Sequence, residues 1–399
     1  MALRRVAPAR LRQLLNIARA RALDFAVLLL AALAGLSRGR EKRVPERALR
    51  VLHVSPLYFD ASSYIGGGER YATELARSMA EKTPTKMVSF NPEPKELTLG
   101  SLKIRVYRRL GGPPWNPTSI AFLKDVVRAD VIHCYHFRTL VTALSALVAT
   151  ILGKRIFVTD LGGSLEPNFR RGVEIKPLID RWLHISRYSS LVWPETGDAI
   201  IYGGVSETFL EAEPLKERVA RVLYVGRLLP HKGINYLVEA VDPDVELLVI
   251  GREHESHFVE LLASLARGKN VTFQRGASDA EILQAYRTST VTVLPSVYKD
   301  VYGTEYKHPE LLGLTLLESM ACGTPVICTG VGAMPEYVED GVSGFIVPPN
   351  DPAALHERIS WLLQNPNEAR TMGQAARMRV EREFTWSVVA DRCLAEYRR

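Results

Sequence analysis

Short apolar runs alternate with amphipathic stretches twice over along this chain of 399 residues, and that double alternation leaves few folds open. Val51–Val54, Met87–Phe90, Val131–Cys134, Ile156–Thr159 and Ala199–Ile201 read as strands. Helical patterns over Glu69–Ala80, Ile120–Arg128 and Leu140–Leu152 separate them. A second series follows, with strands expected at Val222–Val225, Leu247–Ile250, Val271–Phe273, Val291–Leu294, Val326–Cys328 and Phe345–Val347. Helices are expected near Gly233–Val241, His254–Ala266 and Asp279–Thr288. Strand–helix repetition of this kind builds parallel sheets with right-handed crossovers, and two series predict two doubly wound α/β domains. The acid-rich stretch Gly203–Glu217, with Pro214, reads as the break between them.

Charge is uneven. Twelve of the 51 Lys and Arg residues lie in residues 1–50, against Asp24, Glu41 and Glu46, which leaves the rest of the chain slightly acidic. The basic character belongs to the N-terminal arm, so no nucleic-acid-binding face is expected on the folded body. Within the arm, Ala22–Leu36 is apolar apart from Asp24 and is flanked by arginines. As a helix it would span about 22 Å at about 1.5 Å per residue, short of the roughly 30 Å hydrocarbon core. The pattern reads as an interfacial anchor for an anionic membrane surface. A cleaved signal peptide ending near Ala32-Leu33-Ala34, an Arg-rich transit segment and a plain disordered arm are the alternatives. Cys134, Cys322, Cys328 and Cys393 have no metal-like spacing and read as reduced core thiols.

Chemistry concentrates in Glu310-Leu-Leu-Gly313-Leu314-Thr315-Leu-Leu-Glu318, where two carboxylates bracket a glycine that opens an apolar helix. The backbone N–H groups of Gly313, Leu314 and Thr315 would cap a diphosphate, and each acid can accept hydrogen bonds from sugar hydroxyls. Arg227 and Lys232 follow the first strand of the second series, where loops at the carboxyl ends of parallel strands gather around a ligand. Gly67 and Gly68 belong to a glycine-rich turn after Val51–Ser55, where backbone can approach a phosphate or acceptor closely. No metal cluster, Ser-His-Asp arrangement or P-loop is present in the sequence.

The Glu310–Glu318 segment resembles the Glu-x7-Glu region of retaining glycosyltransferase family 4, within the glycosyl transferases group 1. Other landmarks of that family stand in the same order: Ile65-Gly-Gly-Gly-Glu69, Val225-Gly-Arg-Leu228 with His231-Lys-Gly233, Val293-Leu-Pro-Ser296 and Gly341-Val-Ser-Gly344. This chain has Leu311-Leu312 where the family usually shows Gly-Phe. The resemblance implies a GT-B fold, two Rossmann-like domains facing across a cleft. Its implied organisation is a basic/apolar extension over 1–48, an acceptor-side domain over 49–205, a nucleotide-sugar domain over 206–384, and a helix over 385–399 that crosses back to the first domain.

By the same resemblance, Arg227 and Lys232 hold the donor pyrophosphate, Glu318 accepts ribose hydroxyls, and Glu310 meets hydroxyls of the transferred sugar and is catalytic. The family usually shows His-x-His after the third of the strands read above, with the second histidine near the reacting sugar. Tyr135 stands at that second position here, and His136, one residue later, is the candidate. The implied activity is retaining transfer of a hexose-type sugar from a nucleotide diphosphate to a lipid-linked or saccharide acceptor. It would need no metal or other cofactor, and would run in the cytoplasm at the membrane surface. An epimerase or hydrolase on the same fold, or a catalytically silent membrane scaffold, are the alternative readings.

Overall fold

The computed structural model describes residues 27, 29–30, 32–37, 42, 45–57, 67–162, 174–192, 199–211, 214–215 and 217–399. The chain divides into two units. The first runs to Leu183 and takes in Thr196–Ala199 and Leu394–Arg399, while the second comprises His184–Glu195 and Ile200–Cys393.

The first unit is built on β1 (Val51–Val54), β2 (Thr85–Asn91), β3 (Lys95–Leu99), β4 (Leu102–Arg108), β5 (Val131–Tyr135), β6 (Arg155–Thr159), β7 (Arg181–His184) and β8 (Ala199–Ile200). They form one eight-stranded sheet in the order β3-β4-β2-β1-β5-β6-β7-β8. The sequence order reverses between β1 and β5, which pair in parallel from Val51↔Val131 to Val54↔Cys134. Every pairing but one is parallel among those registered; β3 runs antiparallel to β4. That hairpin departs from the all-parallel expectation, and its composition explains why. β3 alternates at an exposed edge, so it never shows the continuous apolar run of a strand covered on both faces.

The second unit carries β9 (Val219–Val225), β10 (Glu246–Ile250), β11 (Val271–Gln274), β12 (Ser289–Leu294), β13 (Val326–Thr329) and β14 (Gly344–Val347). Their order β11-β10-β9-β12-β13-β14 is that of a doubly wound Rossmann-like sheet. Alternate strand residues feed two cores. Leu223, Val225, Leu248 and Ile250 pack with Leu316, Leu317, Met320 and Val380 on one face. Val222, Tyr224, Leu247 and Val249 pack with Leu237, Phe258, Leu262 and Ile359 on the other. Burying a side chain of this size contributes about 1.5–3 kcal/mol, so helices on both faces are what make this sheet stable.

Two expectations change. The boundary falls at 183/184 instead of 205/206, because the chain from His184 is tied into the second unit. There the Ser186 hydroxyl donates to the Leu311 carbonyl (2.8 Å), Tyr337 Oη donates to the Ile185 carbonyl (3.0 Å), and the Arg187 N–H donates to Glu336 (2.7 Å). The final helix, Trp386–Arg398, is likewise divided, with Leu394–Arg399 counted in the first unit.

The second change concerns the N-terminal arm, whose apolar run does have a place in the fold. Residues 27, 29–30 and 32–37 are helical. Val27, Leu30 and Ala34, spaced three and four apart, pack on the core of the first unit. Leu29, Leu33 and Leu36 face outward, exposed by 51%, 42% and 83%. Lys42 closes the segment with an ion pair to Asp180 at 2.7 Å. The rest of the arm, including Arg4 to Arg21, lies outside the described residues. Among the described residues no helix is long and apolar enough to cross a membrane.

Candidate functional site

In a doubly wound sheet, loops at the carboxyl ends of the strands on either side of the order reversal enclose a ligand crevice. In the second unit that reversal lies between β9 and β12. The loop after β9 holds Arg227 and Lys232, and the loop after β12 runs from Pro295 to Glu310. Lys232 Nζ meets Glu310 Oε1 at 2.5 Å, and Ser296 Oγ donates to the same oxygen at 2.7 Å. Glu310 is 7% exposed. Burial opposes its ionisation, but the charge and hydrogen bond of Lys232, with Ser296, hold its pKa below the ordinary carboxylate value. His231, beside this pair, is pushed down to about 4 by burial and by Lys232, so it is a neutral ring at physiological pH.

Two glycines shape the backbone here. Gly233 sits at φ 66, and a Cβ on it would lie 2.0 Å from the Pro295 carbonyl oxygen, so the two loops touch only because this residue has no side chain. Gly313 adopts φ 100 as the N-cap of the helix Leu314–Ala321 and leaves that N-terminus without a side-chain cap. An uncapped helix start presents N–H donors and a positive dipole end, the arrangement that accepts phosphate. Leu314 and Thr315 are half-buried in its first turn. Glu318, one turn further in and 7% exposed, accepts a hydrogen bond from Tyr286 Oη at 3.1 Å. Arg227 is exposed at the rim, and its carbonyl receives Tyr224 Oη at 3.0 Å. The second unit thus brings Arg227, Lys232, Glu310, Gly313–Thr315 and Glu318 onto the loops and helix start of one sheet edge.

Sequence reasoning missed what positions them. The half-buried Arg218 guanidinium donates to the carbonyls of Tyr286, Arg287 and Ser289 through Nη1, and to those of Cys322 and Gly323 through Nη2. It thereby ties the C-terminal ends of the helices that carry Tyr286 and Glu318. A positive charge at helix C-termini is the favourable sign, and the four N–H groups on the two Nη atoms are shared among these carbonyls.

The first unit places its candidates at the reversal between β1 and β5. His136 leaves β5 with φ 65, a left-handed conformation uncommon for a residue with a side chain. Its carbonyl accepts from the Thr139 hydroxyl at 3.2 Å and the Thr142 hydroxyl at 2.9 Å, which fixes that turn. His133 is structural: fully buried, it bonds Tyr397 Oη at 2.7 Å and Thr159 Oγ1 at 2.8 Å. Tyr135 is equally buried and bonds His53 Nδ1 at 2.8 Å; burial pushes His53 down to about 3. Asp160 is committed to the Phe137 and Gly162 N–H groups. Gly67 and Gly68 lie inside the first turn of the helix Gly67–Ala80, not in a preceding turn as the sequence suggested, while Gly66 lies outside the described residues. Among the described residues no group of three His, Cys, Asp or Glu could hold a metal ion.

Comparison with known proteins bears on the family and the fold. Residues 205–379 match the family model of glycosyl transferases group 1. The chain is similar to a D-inositol 3-phosphate glycosyltransferase of Frankia alni, 28% identical over 87% of this chain and 98% of that protein. It is 34% identical to the alpha-maltose-1-phosphate synthase of Mycolicibacterium smegmatis over 45% of this chain and 47% of that one. Among solved structures, a sucrose-phosphate synthase of Thermosynechococcus elongatus superimposes with a TM-score of 0.65 at 23% identity, covering 87% of this chain and 98% of that one. Anabaena HepE, solved with UDP-glucose, gives 0.61 at 18% over 87% and 98%. These likenesses identify the two Rossmann-like units as those of the GT-B fold.

Proposed function

We propose, from the premise that this chain belongs to the glycosyl transferases group 1, that it moves a hexose-type sugar from a nucleotide-diphosphate donor to a lipid-linked or saccharide acceptor with retention at the anomeric carbon. The observation that carries the reading is the Lys232–Glu310 pair at 2.5 Å beside an uncapped helix start that leads to Glu318. In this reading Glu318 accepts the ribose hydroxyls, and the N–H groups of Gly313, Leu314 and Thr315 receive the diphosphate. Arg227 and Lys232 offset the charge that develops on the leaving group, the role a divalent ion fills elsewhere, so the reaction needs no metal. Glu310 holds the transferred sugar, and His136 takes part in catalysis. As the diphosphate departs, the acceptor hydroxyl enters on the same face of the sugar and the leaving phosphate takes its proton. No protein nucleophile is required.

The proposal includes the setting. The enzyme works in the cytoplasm, held to an anionic membrane surface by residues 1–48. Support comes from Leu29, Leu33 and Leu36, exposed on a helix whose other face is fastened to the first unit, and from the basic residues that surround it. Such a helix combines apolar insertion with attraction to anionic lipid.

Thermal unfolding in the presence of nucleoside diphosphates and their hexose conjugates tests the donor assignment, because a ligand of the native state raises its apparent stability. The expected result is a shift with one base. No shift with any nucleoside diphosphate rejects the donor site. Once a donor is identified, NMR of the product at its anomeric carbon decides retention.

A further inference from the structure

Between Ser296 and Glu310 the chain does not return directly to the site but makes a hairpin, Val297–His308, with an antiparallel bridge between Lys299 and Glu305. Neither the strand–helix alternation nor the donor chemistry accounts for it. Its residues are mostly exposed, yet it is firmly built around Asp300, which is 5% exposed. Asp300 Oδ1 accepts the N–H groups of Tyr302 and Thr304, both at 2.9 Å, and Oδ2 accepts Tyr306 Oη at 3.0 Å. Outside the hairpin, Tyr188 Oη donates to the Lys307 carbonyl at 3.0 Å and Asn350 Nδ2 to the Lys299 carbonyl at 3.0 Å. The Tyr302 ring packs on His257 with centroids 4.9 Å apart.

Two tyrosines reach the Glu310 site from opposite arms of the hairpin. Tyr306 packs its ring on His231, centroid to centroid 4.7 Å, next to the lysine that pairs with Glu310. Tyr298 accepts the Gly332 N–H at 2.9 Å, and Gly332 abuts Glu310 so closely that a Cβ there would lie 2.0 Å from the Glu310 carbonyl oxygen. Tyr298 nonetheless remains 38% exposed. The pinned hairpin therefore sets two aromatic rings against the immediate neighbours of Glu310, Tyr306 on His231 and Tyr298 on Gly332. A pyranose presents hydroxyls around its edge and C–H groups on its faces. A carboxylate serves the former and an aromatic ring the latter.

We infer that the hairpin Val297–His308 selects the transferred sugar, with Tyr298 and Tyr306 presenting ring surface to the C–H face of the hexose whose hydroxyls Glu310 holds. This rests on the donor reading above and adds what that reading leaves open, namely which element discriminates one hexose from its epimers. Epimers differ in where a hydroxyl replaces a C–H on a face, so rigid rings beside that face distinguish them.

The test is calorimetric titration of the full-length protein with the preferred nucleoside diphosphate alone, then with its glucose, galactose, mannose and N-acetylglucosamine conjugates. In Tyr298→Ala and Tyr306→Leu, the spread of Kd among the four conjugates is expected to shrink about tenfold, while the Kd for the diphosphate alone stays within about twofold. Tyr306→Phe keeps the ring, loses the bond to Asp300, and is expected to retain discrimination, which separates ring contact from hairpin integrity. Wild-type protein that binds all four conjugates equally, or Ala and Leu variants that bind the diphosphate and keep the wild-type spread, overturn the inference. Failure of every nucleoside diphosphate to bind the wild type overturns the donor reading, and the hairpin's role with it.

Discussion

Replacing Lys232 by methionine tests the site most directly, because the same pair is read here as both a catalytic and a structural element. The lysine and Glu310 side chains are 15% and 8% exposed, and Lys232 is the chief opponent of the burial that disfavours the Glu310 carboxylate. Taking one partner from a buried pair costs about 3–5 kcal/mol. The Ser296 hydroxyl, still 2.7 Å away, keeps part of that compensation, which brings the expected loss to about 3 kcal/mol at neutral pH. For a unit of this size that is a fall of about 6–12 °C in its melting temperature. Lys232→Met with Glu310→Gln removes both charges, and the double variant should melt within about 1 kcal/mol of the parent.

The pH dependence follows from the direction of the shift. In the wild type the folded-state pKa of Glu310 lies below its unfolded value. The stability this contributes is present above the unfolded value of about 4.3 and is lost as pH falls through the lower folded value. In Lys232→Met burial outweighs the remaining Ser296 hydrogen bond and raises the Glu310 pKa, so the variant's deficit grows as pH rises from about 4.3 and shrinks toward it. Differential scanning calorimetry at pH 5 and pH 7.5 reads both effects. A single variant that melts within about 1 °C of the wild type at pH 7.5 refutes the buried-pair account, and so does a double variant no more stable than the single one.

Glu318→Gln keeps an acceptor for Tyr286 but removes the charge offered to ribose, so affinity for the nucleoside diphosphate should fall by about 1.5–3 kcal/mol, read by calorimetric titration; unchanged affinity removes Glu318 from the nucleotide site. Arg227 is exposed, so Arg227→Ala should leave the melting temperature unchanged while turnover drops about 10²–10³-fold. Turnover should also survive EDTA, and its abolition by the chelator with rescue by magnesium contradicts the metal-free account. Changing Leu29, Leu33 and Leu36 together to Gln should leave the fold intact, since none is in the core, yet reduce flotation with anionic vesicles about tenfold. Equal flotation moves the membrane contact elsewhere. Deleting residues 1–44 is the less informative test because it also strips Val27, Leu30 and Ala34 from the first core.

How far the sequence foretold this structure follows from the range over which each feature is set. β10 is legible because a strand covered on both faces reads as an unbroken run, Leu247-Leu-Val-Ile250, whereas β3 alternates at the sheet edge, its neighbour β4 is interrupted by Lys103 and Arg105, and β7 is only Arg-Trp-Leu-His. Gly313, Glu310 and Glu318 stand within one stretch of chain, so their chemistry can be read there. The pairing of Lys232 with Glu310 cannot, since 78 residues separate them and only the adjacency of β9 and β12 joins their loops. The hairpin around Asp300 has no periodicity at all.

His136 shows the same limit at a single residue. A one-residue offset along a strand sends a side chain to the opposite face, and Tyr135, where the resemblance expects a histidine, is spent inside the core on His53. β5 ends at that tyrosine, and the chain then turns through the left-handed conformation of His136. In the proposed reading the displaced histidine serves the reaction from this turn, so His136 and its φ of 65 have to be considered together. The sequence contains the displacement, but the turn at His136 depends on Thr139 and Thr142 closing onto its carbonyl, a contact no motif records.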